Sequence, residues 1–152
     1  MKTLSNPAAK AELLRRLASI DPESPRRWGT MTVIEMLCHC GDALRVSMGD
    51  RQSQPIGNWF SRMVVKPAAL WIPRPWPQGV PTVPECDASR SGTQPTELDT
   101  HLRELRDLIE RFTQQPRDYP LQAHPMFGKM NEKEWMRWGY LHLDHHLRQF
   151  RV

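Results

Sequence analysis

The chain has 152 residues, 39% of them apolar and 25% charged, which supports one globular domain over residues 1–152 with a single sizeable core. No apolar run reaches the roughly 18 residues that cross a bilayer, so we expect no membrane partner. The first residues lack the apolar core of a secretion signal, and three cysteines are too few for a disulfide framework. We therefore expect a cytoplasmic protein. The net charge is +4, but basic residues are scattered among acidic ones and form no stripe, which argues against nucleic-acid binding.

Two helices are predicted in the first third of the chain. Asn6 stands before a proline, a good helix start, and apolar residues then recur at helical spacing until Pro22 stops the pattern. Thr32 and Glu35 have the spacing of a capping box, and the apolar stripe that follows them continues to Gly49. We expect a second helix between Thr32 and Gly49.

The middle of the chain is predicted to contain a short helix and a long connection. Residues 59–71 form an apolar helical segment that is kinked or restarted at Pro67. Six prolines between Pro73 and Pro95 exclude a helix or a central strand there. Such a crossover allows two consecutive long helices of a bundle to run parallel.

Two further helices are predicted in the last third. Leucines at helical spacing mark a helix that begins near Leu98 and ends before Pro116. Asn131 and Glu134 form another capping box, which opens a last helix that runs to about Phe150. Because no alternating strand pattern occurs, the expected fold class is all-α, with four main helices and one shorter one.

The last predicted helix carries a pair of histidines on its apolar face. A projection at about 100° per residue places His142 and His146 on either side of the centre of that face, about 6 Å apart, as two ligands of one metal ion would be. His145 falls at the edge of the face, where it would support the ligands or serve as an alternative one. Buried histidines that only bond to neighbouring groups are the competing interpretation, and on this pair alone the two are evenly balanced.

The second predicted helix supplies a third candidate ligand. His39 projects onto the shoulder of the apolar stripe, where it can point along a seam between helices. Its neighbours Cys38 and Cys40 cannot join it as ligands, because residues two apart on a helix diverge by about 200°. A three-histidine site built from two helices leaves coordination positions open, as catalytic metal sites require.

Three segments of the chain resemble the DinB-like four-helix-bundle superfamily: RWGTMTVIEMLCHCGDALR from Arg27, HPMFGKM from His124 and YLHLDHHLRQF from Tyr140. The resemblance implies an up-down-down-up bundle, often a homodimer, that holds a divalent ion with a histidine of the second helix and an H-x3-H pair of the last. These positions correspond to His39, His142 and His146. Characterised members are metal-dependent thiol transferases and isomerases that use a thiol cofactor.

We therefore expect a divalent-metal-binding protein, with zinc or nickel best suited to imidazole ligands. The leading hypothesis is a metal-dependent transferase or hydrolase that activates a low-molecular-weight thiol or water toward a small-molecule substrate. The alternative is a non-catalytic metal- or small-ligand-binding protein of stress responses, in which the ion braces the fold. An open coordination position reached by a pocket favours the enzyme, whereas a fourth protein ligand such as His145 favours the alternative.

Two further expectations concern His124 and pH. His124 precedes a proline near one end of the last helix, where it would line the mouth of a pocket or lie in an ordinary surface turn. Imidazole binds metal only when neutral, so an unperturbed histidine pKa of about 6.5 predicts that stabilisation by the ion shrinks between about pH 7 and pH 5.

Overall fold

The computed structural model describes residues 1–152, and every regular element in it is helical. No strand forms, and the only bridge pairs His124 with Gly128. No helix is both long and apolar enough to pass through a bilayer. A π-helical turn at Ser61–Val65 and a 3₁₀ turn at Pro84–Cys86 accompany five α-helices, which are α1 Pro7–Leu17, α2 Val33–Met48, α3 Lys66–Trp71, α4 Leu98–Thr113 and α5 Glu132–Gln149.

The predicted capping boxes form at the starts of the two helices that carry the candidate ligands. The Thr32 side chain accepts from the backbone N–H of Glu35, whose carboxylate in turn accepts from the N–H of Thr32. Asn131 and Glu134 make the same reciprocal pair at the start of α5. At the far end of α2, Gly49 has φ +86°, a left-handed cap that glycine adopts without steric cost.

The third predicted helix is shorter than its apolar pattern indicated. The α-helix begins only at Lys66, after the π-helical turn, and Pro67 lies in its first turn. Proline lacks a backbone N–H, so it is tolerated in a first turn and not in a helix interior. The first helix also ends early, at Leu17, since the backbone N–H groups of Ser19 and Ile20 bond to carbonyls three residues back and not four.

The core forms where α2 packs on α4 and where α5 packs on α1, α2 and α3. Its largest fully buried side chains are Trp135, Phe112 and Phe150. The Trp135 and Phe112 rings meet edge to face with centroids 6.3 Å apart. Because α5 contacts three other helices, its inward face, which includes His142, is fixed by packing on several sides.

The proline-rich crossover at residues 73–95 is tied to α2 through a buried carboxylate. Asp42 is 1% exposed and accepts from the backbone N–H and the hydroxyl of Thr93, at 2.7 and 2.6 Å. The Arg51 guanidinium donates to the backbone carbonyl of Glu85 at 3.1 Å. These bonds hold the crossover against α2, next to His39.

Candidate metal centre

Three histidines from two helices meet inside the protein. His39 of α2 and His142 and His146 of α5 form a buried group in which the candidate ligand atoms all lie within 4.8 Å of one another. The Nε2 atoms of His39 and His142 are 3.0 Å apart. The structure therefore brings together the three residues that the sequence singled out.

Hydrogen bonds fix which nitrogen of His39 carries the proton. Its Nδ1–H donates to the backbone carbonyl of Cys86 at 3.0 Å, since a carbonyl can only accept. In the neutral ring this leaves the lone pair on Nε2, which points into the histidine group. A crossover residue thus orients a side chain of α2.

His146 is oriented in the same way by a side chain of its own helix. Its Nδ1–H donates to Oε1 of Gln149 at 2.9 Å, one helical turn further on. The Gln149 amide nitrogen donates to the backbone carbonyl of Trp28 at 2.9 Å, which settles the orientation of the amide. The neutral His146 ring therefore carries its lone pair on Nε2, as the His39 ring does.

Burial keeps the group uncharged. Desolvation lowers the pKa of His142 well below its usual value, and the neighbouring His146 and His39 lower it further. The pKa of His146 is lowered for the same reasons, desolvation first and then His39. Desolvation also lowers the pKa of His39, against the opposing effect of its bond to Cys86. Neutral imidazoles are the form that binds a metal ion.

The donor set fits a divalent transition-metal ion. Imidazole nitrogens at about 2.0–2.1 Å from a tetrahedral ion lie roughly 3.4 Å from one another. The 3.0 Å separation of His39 and His142 and the 4.8 Å limit for the whole group bracket that spacing. The spacing of the three side chains is therefore compatible with one shared ion.

His145 does not belong to this group. Its ring lies 5.2 Å from that of His146 and 5.4 Å from that of Trp28, and it is half-buried. The third histidine of the last helix therefore forms part of the wall beside the group and adds no fourth nitrogen to it.

His124 lies in a tight turn that pairs with Gly128, and it lines the same cavity. Its Nδ1 accepts from the backbone N–H groups of Met126 and Phe127, at 3.1 and 3.2 Å. Its ring stacks on Phe127 with centroids 4.6 Å apart. Desolvation lowers the pKa of His124 to about 3, so its ring is neutral.

A cavity of about 630 Å³ opens beside the three histidines. Its wall is mostly apolar, and Arg74 is the only lysine, arginine or carboxylate that lines it. Trp138 stacks on His142 with an interplanar angle of 10° and centroids 4.9 Å apart. Trp76 of the crossover faces the same histidine at 6.3 Å, and its indole N–H donates to the carbonyl of Ala69. A small apolar molecule could therefore approach the histidine nitrogens.

Reasoning from sequence missed the groups that support the histidines. Gln149 lies three residues after His146, so a helical projection could have found it. Cys86 and Trp76 come from the proline-rich crossover, which has no periodicity to predict a direction for either residue. They contribute a carbonyl and an indole that only the folded chain brings to the site.

The fold and the site together define an all-helical protein with a buried three-histidine group that could hold a metal ion. Residues 6–152 match the family model described as protein of unknown function (DUF1569), and the chain belongs to that family. Comparison with curated proteins and with solved structures gave no match.

Proposed function

We propose that the protein binds a divalent metal ion through His39, His142 and His146, and that zinc or nickel is the ion bound. The observation that carries the proposal is the convergence of three neutral imidazoles, two of which already carry their protons on Nδ1. Nitrogen donors of this type suit both ions, and affinity order alone does not choose between them.

We further propose that the helices form a DinB-like bundle with up-down-down-up topology. The three segments that resemble that superfamily contain His39, His124, His142 and His146. The long connection between α3 and α4 is compatible with the crossover that such a topology needs.

The proposed activity is that of a metal-dependent transferase or hydrolase acting on a small molecule. When bound, the ion would lower the pKa of a thiol or of water at a coordination position that the protein leaves open. Cys86 and Gln149 orient the ligands, and Trp28, Trp76 and Trp138 give the cavity beside them an aromatic wall.

The position of His145 favours this activity over a purely structural ion. A bracing ion in a closed site has four protein ligands. His145 is the nearest further histidine, but its ring faces Trp28 and Trp76 and lies outside the ligand group. The cavity lies beside the three histidines, and His145 is part of its lining.

The test is to load the protein with zinc or nickel and assay it against a panel of low-molecular-weight thiols and electrophiles. X-ray absorption of the loaded protein gives the ligands directly. The proposal expects three imidazoles with a lighter exogenous ligand that a bound thiol replaces, and thiol consumption only in loaded protein. Four protein ligands that no thiol displaces would favour the non-catalytic alternative.

A further inference from the structure

Nearly all of the large apolar side chains that are exposed to solvent lie in one stretch of the chain. Eight such side chains are exposed, and seven of them lie between Arg51 and Pro84, hereafter segment 51–84. Trp59 is 72% exposed, Met63 60% and Phe60 56%. Exposed aromatic and aliphatic groups concentrated in this way are typical of an interaction site.

The same segment holds the whole excess of positive charge. It contains four basic residues and no aspartate or glutamate, whereas the chain as a whole has 21 basic and 17 acidic residues. The rest of the chain is therefore electrically balanced. In the folded protein Arg51 pairs with Asp42 and Lys66 with Glu134, so the charges of the segment that keep no carboxylate partner are those of Arg62 and Arg74.

Several cations in and around this surface have no carboxylate partner. Arg62 and Arg74 are exposed and make no ion pair, in contrast to Lys66, which pairs with Glu134 at 3.1 Å. Lys133, also without an ion pair, lies 5.4 Å from the centre of the Trp71 ring on α3. Positive charge is thus available at the edge of the apolar surface.

A second copy of the chain is a poor partner for this segment. In a two-fold interface the same patch meets itself, so Arg62 and Arg74 would face like charges with no acidic residue of the segment to offset them. Nucleic acid is also a poor fit, since side chains such as Met63 and Ile72 neither stack on bases nor bond to phosphates.

We infer that segment 51–84 docks the protein on an anionic membrane surface. Trp59, Phe60 and Met63 would enter the boundary between headgroups and acyl chains, where tryptophan is favoured. Arg62 and Arg74 would contact anionic headgroups. The inference concerns peripheral contact, and it departs from our expectation from the sequence that membranes have no part in this protein.

Docking would also orient the cavity. Ile72, Arg74 and Val80 belong both to segment 51–84 and to the lining of the cavity beside the histidines. A docked protein would therefore present the mouth of the cavity to the bilayer, where an apolar molecule could enter it.

Co-sedimentation with vesicles tests the inference, using phosphatidylcholine alone and an equal mixture with phosphatidylserine. The full chain is compared with W59S/F60S, with R62Q/R74Q and with the control R103Q/R106Q. The control removes the same charge from exposed positions on α4. Thermal melting verifies that each variant is folded, and no metal is needed, so the outcome is independent of the proposed metal chemistry.

The full chain is expected to sediment with the anionic vesicles and to be released by salt. W59S/F60S should lose binding, and R62Q/R74Q should weaken it by roughly fivefold per arginine, while the control pair changes nothing. Absence of binding, equal binding to neutral vesicles, or equal loss in the control pair overturns the inference. A dimer that W59S/F60S dissociates, without vesicle binding, overturns it in favour of a second copy.

Discussion

Gln149 controls the direction of a candidate ligand, since it holds His146 with its carbonyl and the Trp28 backbone with its amide nitrogen. Replacing Gln149 with leucine keeps the approximate volume but removes both bonds. Loss of such an outer partner typically weakens metal binding by about 10–100-fold. We expect that loss in a titration of zinc against a chromophoric chelator.

The matched control for this substitution is Gln114→Leu. Gln114 is exposed at the end of α4 and its side chain makes no hydrogen bond. Zinc affinity should be unchanged in this variant. Equal affinities in the full chain and in Gln149→Leu would show that His146 needs no orienting partner.

The lowered pKa of His124 predicts that the protein becomes less stable in mild acid. Its pKa in the folded protein is lowered to about 3, so the folded form stays neutral while the unfolded chain takes up a proton below about pH 6.5. Stability that is present above pH 6.5 is therefore lost as the pH falls toward 3. This histidine alone makes the free energy of unfolding about 2 kcal/mol lower at pH 5 than at pH 7.

His124→Asn tests that prediction, because asparagine can still accept from the Met126 and Phe127 amides but does not titrate. Urea unfolding of metal-free protein measures the free energy of unfolding at pH 7 and at pH 5. Its decrease between the two pH values should be smaller in the variant by about 2 kcal/mol. The same decrease in both proteins would mean that His124 is not held neutral.

At the scale of elements, a close contact of two loops forms part of the cavity wall. The backbone N–H of Gly57 donates to the carbonyl of Pro125 at 3.0 Å, and a Cβ placed on Gly57 would lie 1.8 Å from the Met126 carbonyl oxygen. Gly57→Ala must separate the loops, and we expect it to lower the free energy of unfolding by at least about 2 kcal/mol.

Gly79→Ala provides the comparison. Gly79 has φ +74°, but nothing lies within 4 Å of its added Cβ, so only the conformational cost of roughly 1–2 kcal/mol for a left-handed alanine applies. Urea denaturation of both variants measures the difference. A smaller loss in Gly57→Ala than in Gly79→Ala would contradict the close packing of the two loops.

The ligand-bearing elements could be predicted from sequence because their signals are local. Capping residues and apolar periodicity marked α2 and α5. The same periodicity placed His142 and His146 on the inward face of α5 and His39 on the shoulder of the apolar stripe of α2. The remainder of the site depends on long-range contacts. The Cys86 carbonyl reaches His39 only because bonds such as Asp42 to Thr93 fold the crossover onto α2.

At the scale of the molecule, an ion at the three histidines would join α2 to α5. A ligand that binds only the folded state stabilises it by mass action, by about 2.7 kcal/mol at a hundredfold excess over Kd. Chelator treatment should therefore lower the melting temperature, which differential scanning calorimetry of loaded and stripped protein measures. Identical melting curves would show that no ion joins the helices.

The burial of the histidines changes the pH range in which we expect protons to remove the stabilisation by the ion. From an unperturbed pKa of about 6.5, protons would displace the ion between about pH 7 and pH 5. Desolvation lowers the pKa values of His142 and His146 well below 6.5 in the folded protein. Protons then compete only at lower pH, so the gap between loaded and stripped protein should close at a lower pH than an unperturbed pKa predicts.

The most direct test of the three-histidine centre is the metal content of single variants, measured by mass spectrometry after loading with zinc and gel filtration. The full chain and the adjacent-histidine control His145→Ala should each retain one ion per chain. His39→Ala, His142→Ala and His146→Ala should each lose most of it, while circular dichroism shows that they remain helical. Full metal content in all three variants, or a loss in His145→Ala equal to theirs, would contradict a centre built from His39, His142 and His146.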